Sequence, residues 1–149
     1  MIATYLDSSA LVRLCVGEGH LGQVEEAMLG IPVTSVLAAV ELPTAIHARS
    51  QRGLLDAKEH EILLGIAGRI LKSVGQVGLS GAVRREAVSA ARSDLLRALD
   101  AIHVGTAVVV DRHQRRRGNS LRFCTGDQRQ AQAAAERFGL DNVITLAPL

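Results

Sequence analysis

The apolar positions at the start of the chain, Met1-Ile-Ala-Thr-Tyr-Leu-Asp-Ser-Ser-Ala10, run almost unbroken to Leu6 and stop at a carboxylate. A short continuous run of this kind predicts a strand buried on both faces, the central strand of a parallel sheet. From residue 10 to 16 the spacing becomes helical, and Asp7, Ser8 or Ser9 is placed to cap that helix. In open α/β sheets the ligand crevice lies outside the carboxyl ends of the strands, which puts Asp7 at its lip.

The alternation continues along the chain. A second helix is predicted over 23–29, a strand over 31–34, and a helix from the cap Ser35 to residue 49. Asp56 caps a long amphipathic helix to residue 72, and the glycines at 75 and 78 mark 73–80 as a loop before a helix over 81–92. Ser93 reads as the cap of a helix over 94–111, with Gly118-Asn119 ending the helical stretch. A strand over 121–124 leads into Thr125-Gly-Asp127, a helix over 128–138 stopped by Gly139, and a last strand over 143–146. Strands alternating with helices predict an α/β fold with a mostly parallel sheet. No repeat, low-complexity tract or linker divides residues 1–149, so one domain is expected.

The hexapeptide from Gly17 to Gly22 matches G-x-G-x-x-G, with Glu41 near the distance of a ribose-binding acid. That fingerprint needs its glycines directly between the first strand and its helix. Here the junction is Asp7-Ser-Ser9, so the nucleotide reading is discounted.

Four carboxylates stand in odd places. Asp7 and Asp127 each lie where a strand gives way to a helix, on the same side of a parallel sheet. Glu41 has Leu37, Ala38, Thr44 and Ala45 as its neighbours one turn away, which aims it at the core. A carboxylate there is costly unless paired, and an arginine elsewhere is the ordinary partner. Pro43 adds to the oddity by leaving the carbonyl of Ala39 without its usual helical partner. Asp100 reads as a mid-helix aspartate, a poor helix former, between Leu96 and Val104. Asp94 is explained by the helix dipole, and Glu59, Glu61 and Glu86 as solvated charges. His103 offers a base or ligand, although a hydrogen-bonded structural role is commoner.

Anions gathered in one poorly solvated cleft repel one another and are partly protonated when empty. A divalent cation reverses that logic. Oxygen ligands without cysteine or clustered histidine point to Mg²⁺ or Mn²⁺ and away from zinc. Ions held by carboxylates are a standard means of hydrolysing phosphodiesters.

Composition narrows the picture. Aromatics are 2% of the chain, which removes the stacking platforms of a single-strand-binding module. Seventeen basic against fifteen acidic residues give +2, too small a surplus to argue a nucleic-acid partner from net charge. The one dense basic run, Arg112 to Arg117, reads first as a solvated helix end complementing the dipole, and second as a phosphate contact. Cys15 and Cys124 form no CxxC or ligand spacing, so a reducing cytoplasm is the default. No signal peptide is expected, because the first residues lack a basic leader and their apolar run is too short for a signal core. No membrane span is expected either, because residues 95–110 carry Arg97, Asp100 and His103.

Tyr5-Leu-Asp-Ser-Ser-Ala-Leu-Val12, Ala39-Val-Glu-Leu42, Leu96-Arg-Ala-Leu-Asp-Ala-Ile-His-Val104 and Thr125-Gly-Asp127 resemble the acidic signatures of PIN-domain ribonucleases. The chain most resembles the small VapC-type toxins of bacterial toxin–antitoxin pairs, over essentially its whole length. The resemblance implies a three-layer α/β/α fold and Mg²⁺- or Mn²⁺-dependent endonucleolytic cleavage of RNA. It implies that Asp7, Glu41, Asp100 and Asp127 form the acidic, metal-holding quartet, with the Thr125 hydroxyl as a helper. It also implies a homodimer and a cognate VapB-type antitoxin whose tail occupies the cleft. Pro43, so close to Glu41, departs from the family's usual helix former.

The rival from another class is a catalytically inactive PIN-like binding or regulatory module, in which the acidic pocket docks a partner without turnover. A phosphatase using Asp7 as nucleophile fits less well, since Ser9 stands where the second carboxylate of Asp-x-Asp belongs.

Overall fold

The sheet is built from five short strands, and its middle strand is the first apolar run of the chain. The computed structural model describes residues 1–17 and 21–147. In chain order the elements are β1 (Ile2–Leu6), α1 (Ser8–Val16), α2 (Leu21–Met28), β2 (Ile31–Ser35), α3 (Ala38–Gln51), α4 (Ala57–Ser73) and β3 (Gly75–Val77). Then come α5 (Gly81–Asp94), α6 (Ala98–Arg116), β4 (Ser120–Thr125), α7 (Gln128–Phe138), a 3₁₀ turn (Leu140–Asn142) and β5 (Val143–Thr145). The strand order is β3-β2-β1-β4-β5 and every pairing is parallel.

Successive side chains of a strand leave on opposite faces, and the two cores follow that alternation. Tyr5, Val33, Leu121 and Phe123 pack with α5, α6 and α7 on one face, while Leu6, Cys124 and Ile144 pack with α1 to α4 on the other. The result is a three-layer α/β/α sandwich. The chain winds outward from β1 to β2 and β3, then crosses back to β4 on the other side of β1. Their carboxyl ends flank the point where strand order reverses, the usual place for a ligand crevice. Paired in register as Leu6 to Cys124, the two strands bring Asp7 and Thr125 to the same edge.

Tyr5 stacks on Phe123 at 5.3 Å between centroids, and Phe123 on Phe138 at 6.2 Å. Each such pair adds about 0.5–1.5 kcal/mol beyond burial. All three aromatic residues are thereby spent in the core, which agrees with the absence of stacking platforms.

Several boundaries differ from the sequence reading. Residues 75–77, expected in a loop, form the edge strand β3 beside β2. Ser93 caps nothing: α5 runs on to Asp94, Leu95 turns the chain in the left-handed region at φ 53°, and α6 starts at Ala98. Asp94 is held by Arg137 at 2.6 Å, so it ends one helix instead of starting the next. Asp100 consequently sits in the first turn of α6, where an acid is favoured by the helix dipole, and not in mid-helix. Glu59 is more than a solvated charge, since it completes a capping box with Asp56. Gly17 is the left-handed cap of α1 and Gly22 lies within α2, while Glu18, Gly19 and His20 of the G-x-G-x-x-G match lie outside the described residues. No helix among the described residues is long and apolar enough to cross a membrane.

The crossing of α5 and α6 depends on Gly105, where an added Cβ would meet the Ala87 backbone nitrogen at 2.5 Å and its Cα at 2.8 Å. Gly105→Ala is therefore expected to destabilise the protein in a urea melt. Overpacking against backbone costs about 1–3 kcal/mol, more than the roughly 1 kcal/mol that Ala gains over Gly in a helix. A more stable variant would contradict this packing.

Candidate active site

Asp7 follows β1 directly and is fully buried, so its carboxylate must be satisfied by the protein around it. One oxygen accepts from the Ala10 backbone N–H at 3.0 Å and from the Ser9 hydroxyl at 2.6 Å, and the other accepts from the Thr125 hydroxyl. Asp7 is thus the N-cap of α1, as the ordinary reading of an acid before a helix holds, and it is also the tie between β1 and β4. Ser9 strengthens the tie by accepting from the Gly126 N–H at 2.8 Å. Burial pushes the Asp7 carboxyl above its usual range, and His103 with these hydrogen bonds only partly offsets it.

Asp127 caps α7 through one oxygen, which accepts from the N–H groups of Arg129 at 2.8 Å and Gln130 at 3.0 Å. Asp100 accepts at one oxygen from the side-chain amide of Gln130 at 2.9 Å. Among the described residues neither acid has a donor on its second oxygen. Burial raises the Asp100 carboxyl above its usual range, and the charges of Asp127 and Asp7 raise it further. Asp7, Asp100 and Asp127 therefore share one electrostatic neighbourhood. Asp100, Asp127 and Gly126 line a cleft of about 340 Å³ with Arg97 and Arg129.

Glu41 is differently placed. It lies in the first turn of α3 and accepts from Ser8 at one oxygen, at 3.0 Å, and meets His103 Nε2 at the other, at 2.6 Å. Its partner is a histidine and not an arginine. Burial alone would raise its carboxyl, but the His103 hydrogen bond and charge, with Ser8, hold it below the usual range. His103 is fully buried and bonded at both ring nitrogens, the second facing the Tyr5 hydroxyl at 2.7 Å.

Four residues that build this region carry no expected role in the site. Ser9 is expected only as a cap, or as the residue in place of a second carboxylate. Arg13 was given no role, yet it is buried against Gly126, where an added Cβ would lie 2.0 Å from a guanidinium nitrogen, and it donates to the carbonyls of Ser9 and Ala147. Gln130 is buried with its side-chain oxygen unpartnered. Tyr5 looked like core alone. Of these, only the Ser-Ser after Asp7 left a local signal. The basic run at residues 112–117 ends α6, with Arg112 paired to Glu86 and Arg115 to Asp111.

Among the described residues no three His, Cys, Asp or Glu side chains form a group that holds a metal ion unaided. The donors nevertheless suit a hard cation. They are all oxygens, two carboxylates each keep an oxygen free, and Mg²⁺ retains several waters while using one or two carboxylates. A larger groove of about 490 Å³ between α5 and α6, lined by Leu79, Val83, Ala87, Val88 and Ile102, is apolar, and none of the four acids lines it.

No family model and no curated protein matches the chain. Solved structures share its fold. The PAE2754 protein from Pyrobaculum aerophilum superposes with a TM-score of 0.63 at 16% identity, over 89% of this chain and 79% of its own. A toxin–antitoxin complex from Klebsiella pneumoniae gives 0.58 at 17% identity, over 95% and 96%. Identities this low speak for the architecture alone.

The raised Asp100 carboxyl makes a prediction for the metal-free protein. When an acid titrates higher in the folded state, the folded state binds more protons between the two pKa values, so stability falls as pH rises through them. Asp100→Asn keeps an acceptor for Gln130 and removes the charge. It should melt higher than wild type at neutral pH, with the difference vanishing below the ordinary carboxylate range. A variant that melts lower at neutral pH would contradict the repulsion.

Proposed function

We propose that the chain is a metal-dependent endoribonuclease of the PIN type, the VapC-like toxin of a toxin–antitoxin pair. The observation that carries this reading is the meeting of Asp7, Asp100 and Asp127 at the carboxyl edge of β1 and β4, with two carboxyls lifted by burial and Asp100 lifted further by its neighbours' charge. The fold shared with a toxin–antitoxin complex supports it at the level of architecture.

In this reading Asp7, Glu41, Asp100 and Asp127 hold Mg²⁺ or Mn²⁺. A bound divalent ion supplies a nucleophilic water at neutral pH and neutralises charge on the phosphate. The protein's part is positional. Thr125, Ser9 and the Ala10 N–H fix Asp7, and Gln130 fixes Asp100. Arg97 and Arg129 line the same cleft as the acids, yet among the described residues neither side chain is paired with them. Guanidinium groups left in this way suit the phosphates flanking the scissile bond. A cognate VapB-type antitoxin with an arginine-bearing tail would satisfy the same acids by charge-assisted hydrogen bonds. We propose that the toxin acts as a homodimer in the cytoplasm.

A partner-docking module without turnover is the second reading, favoured by the absence of a ready three-donor group among the described residues. Cleavage of RNA separates the two. Purified protein should cut single-stranded RNA with Mn²⁺ and stop with EDTA. Asp7→Asn should lose about 100-fold or more of that rate, the scale for a lost charge-stabilising or acid–base group, while its circular dichroism is unchanged. An unaltered rate in that variant sinks the assignment. RNA binding measured on Asp7→Asn should lose salt sensitivity when Arg97 or Arg129 becomes Gln, the logarithmic slope falling by about 0.7 per phosphate contact. Identical slopes would remove both arginines from the RNA path.

A further inference from the structure

Tyr5, His103 and Glu41 form a chain of hydrogen bonds that runs outward from the core, contributed by β1, α6 and α3. Tyr5 and His103 are fully buried, whereas the Glu41 side chain is 19% exposed. With the ring neutral, a Tyr5 hydroxyl that donates to Nδ1 at 2.7 Å leaves Nε2 to carry the ring proton and donate to Glu41 at 2.6 Å. Ser8 donates to the other carboxylate oxygen. Each oxygen of Glu41 is thereby held by one protein donor.

We propose that Tyr5 and His103 are positioning residues for Glu41: Tyr5 selects the tautomer of His103, and His103 fixes the orientation of the Glu41 carboxylate beside Ser8, the residue that follows Asp7. The effect on activity rests on the nuclease reading above, whereas the tautomer does not. A histidine serving the core alone needs only a nearby backbone carbonyl; this one spends its donor on a partly exposed carboxylate contributed by a helix on the other face of the sheet. Partners of this outer kind orient functional acids, and losing one costs about 10–100-fold in affinity or activity.

Three variants test the proposal. His103→Leu removes the donor, His103→Gln restores an N–H at comparable reach, and Tyr5→Phe deletes only the hydroxyl. In Mn²⁺-dependent RNA cleavage, kcat should fall about 10–100-fold in His103→Leu with KM unchanged. His103→Gln should recover most of the loss, and Tyr5→Phe should fall between. Long-range ¹H–¹⁵N NMR of the metal-free wild type should find His103 protonated at Nε2, and Tyr5→Phe should convert it to a mixture of tautomers. Equal impairment of His103→Gln and His103→Leu overturns the positioning role, as does a ring protonated at Nδ1 or a tautomer indifferent to Tyr5→Phe. Should His103→Leu fail to fold, Tyr5→Phe and His103→Gln carry the same comparison. A wild type that cleaves no RNA overturns the nuclease reading, and the NMR arm then decides the positioning of Glu41 by itself.

Discussion

The site, and the junction of β1 with β4 on which it stands, are organised by the burial of one carboxylate. Asp7 has no exposed surface, and an ionised group so placed is tolerated only with its oxygens fully bonded. Its three donors come from the first turn of α1 and from the end of β4. Satisfying Asp7 therefore clamps the two strands that flank the reversal of strand order, and with them the starts of α1 and α7. Gly126 belongs to the same clamp, since only a residue without a side chain lets the Arg13 guanidinium lie against that turn. The sequence Thr125-Gly-Asp127 thus serves the fold at each of its three positions before any chemistry is asked of it.

Around that clamp the acids divide into two groups. Asp7 and Asp100 sit where burial disfavours their charge, and Asp127 adds to the load on Asp100. Glu41 has its own partners, and His103 and Ser8 stabilise its ionised form. Asp100 and Asp127 each keep one carboxylate oxygen without a protein donor among the described residues, whereas both oxygens of Glu41 are held. Arg97 and Arg129 line the same cleft without pairing to these two acids among the described residues.

Elements whose sequence states their whole environment were legible. The buried strand ending in Asp7 is a continuous apolar run, and α7 has an unambiguous cap at Asp127 and a stop at Gly139. β3 was illegible because three residues beginning with glycine, mostly exposed, make an edge strand only through their neighbour β2. The break between α5 and α6 was hidden because Leu95 takes a left-handed conformation that no glycine or proline announces, and because Ser93-Asp94 imitates a helix start. That error supplied a wrong reason for singling out Asp100: its oddity is the company of other carboxylates, not its place in a helix. Pairing across the fold left no local trace either. Glu41 and His103 are 62 positions apart, and Arg13 reaches the last described residue, Ala147, through an interaction that neither local sequence contains.

The most direct measurement is the melting temperature of the purified protein with and without millimolar Mn²⁺, wild type beside Asp100→Asn. An ion that binds only the folded state stabilises it by mass action, about 2.7 kcal/mol when present at about 100 times its Kd. Mn²⁺ should raise the wild-type midpoint and leave that of Asp100→Asn nearly unmoved. Equal shifts in both proteins, or none in either, would contradict the claim that these acids form a metal site.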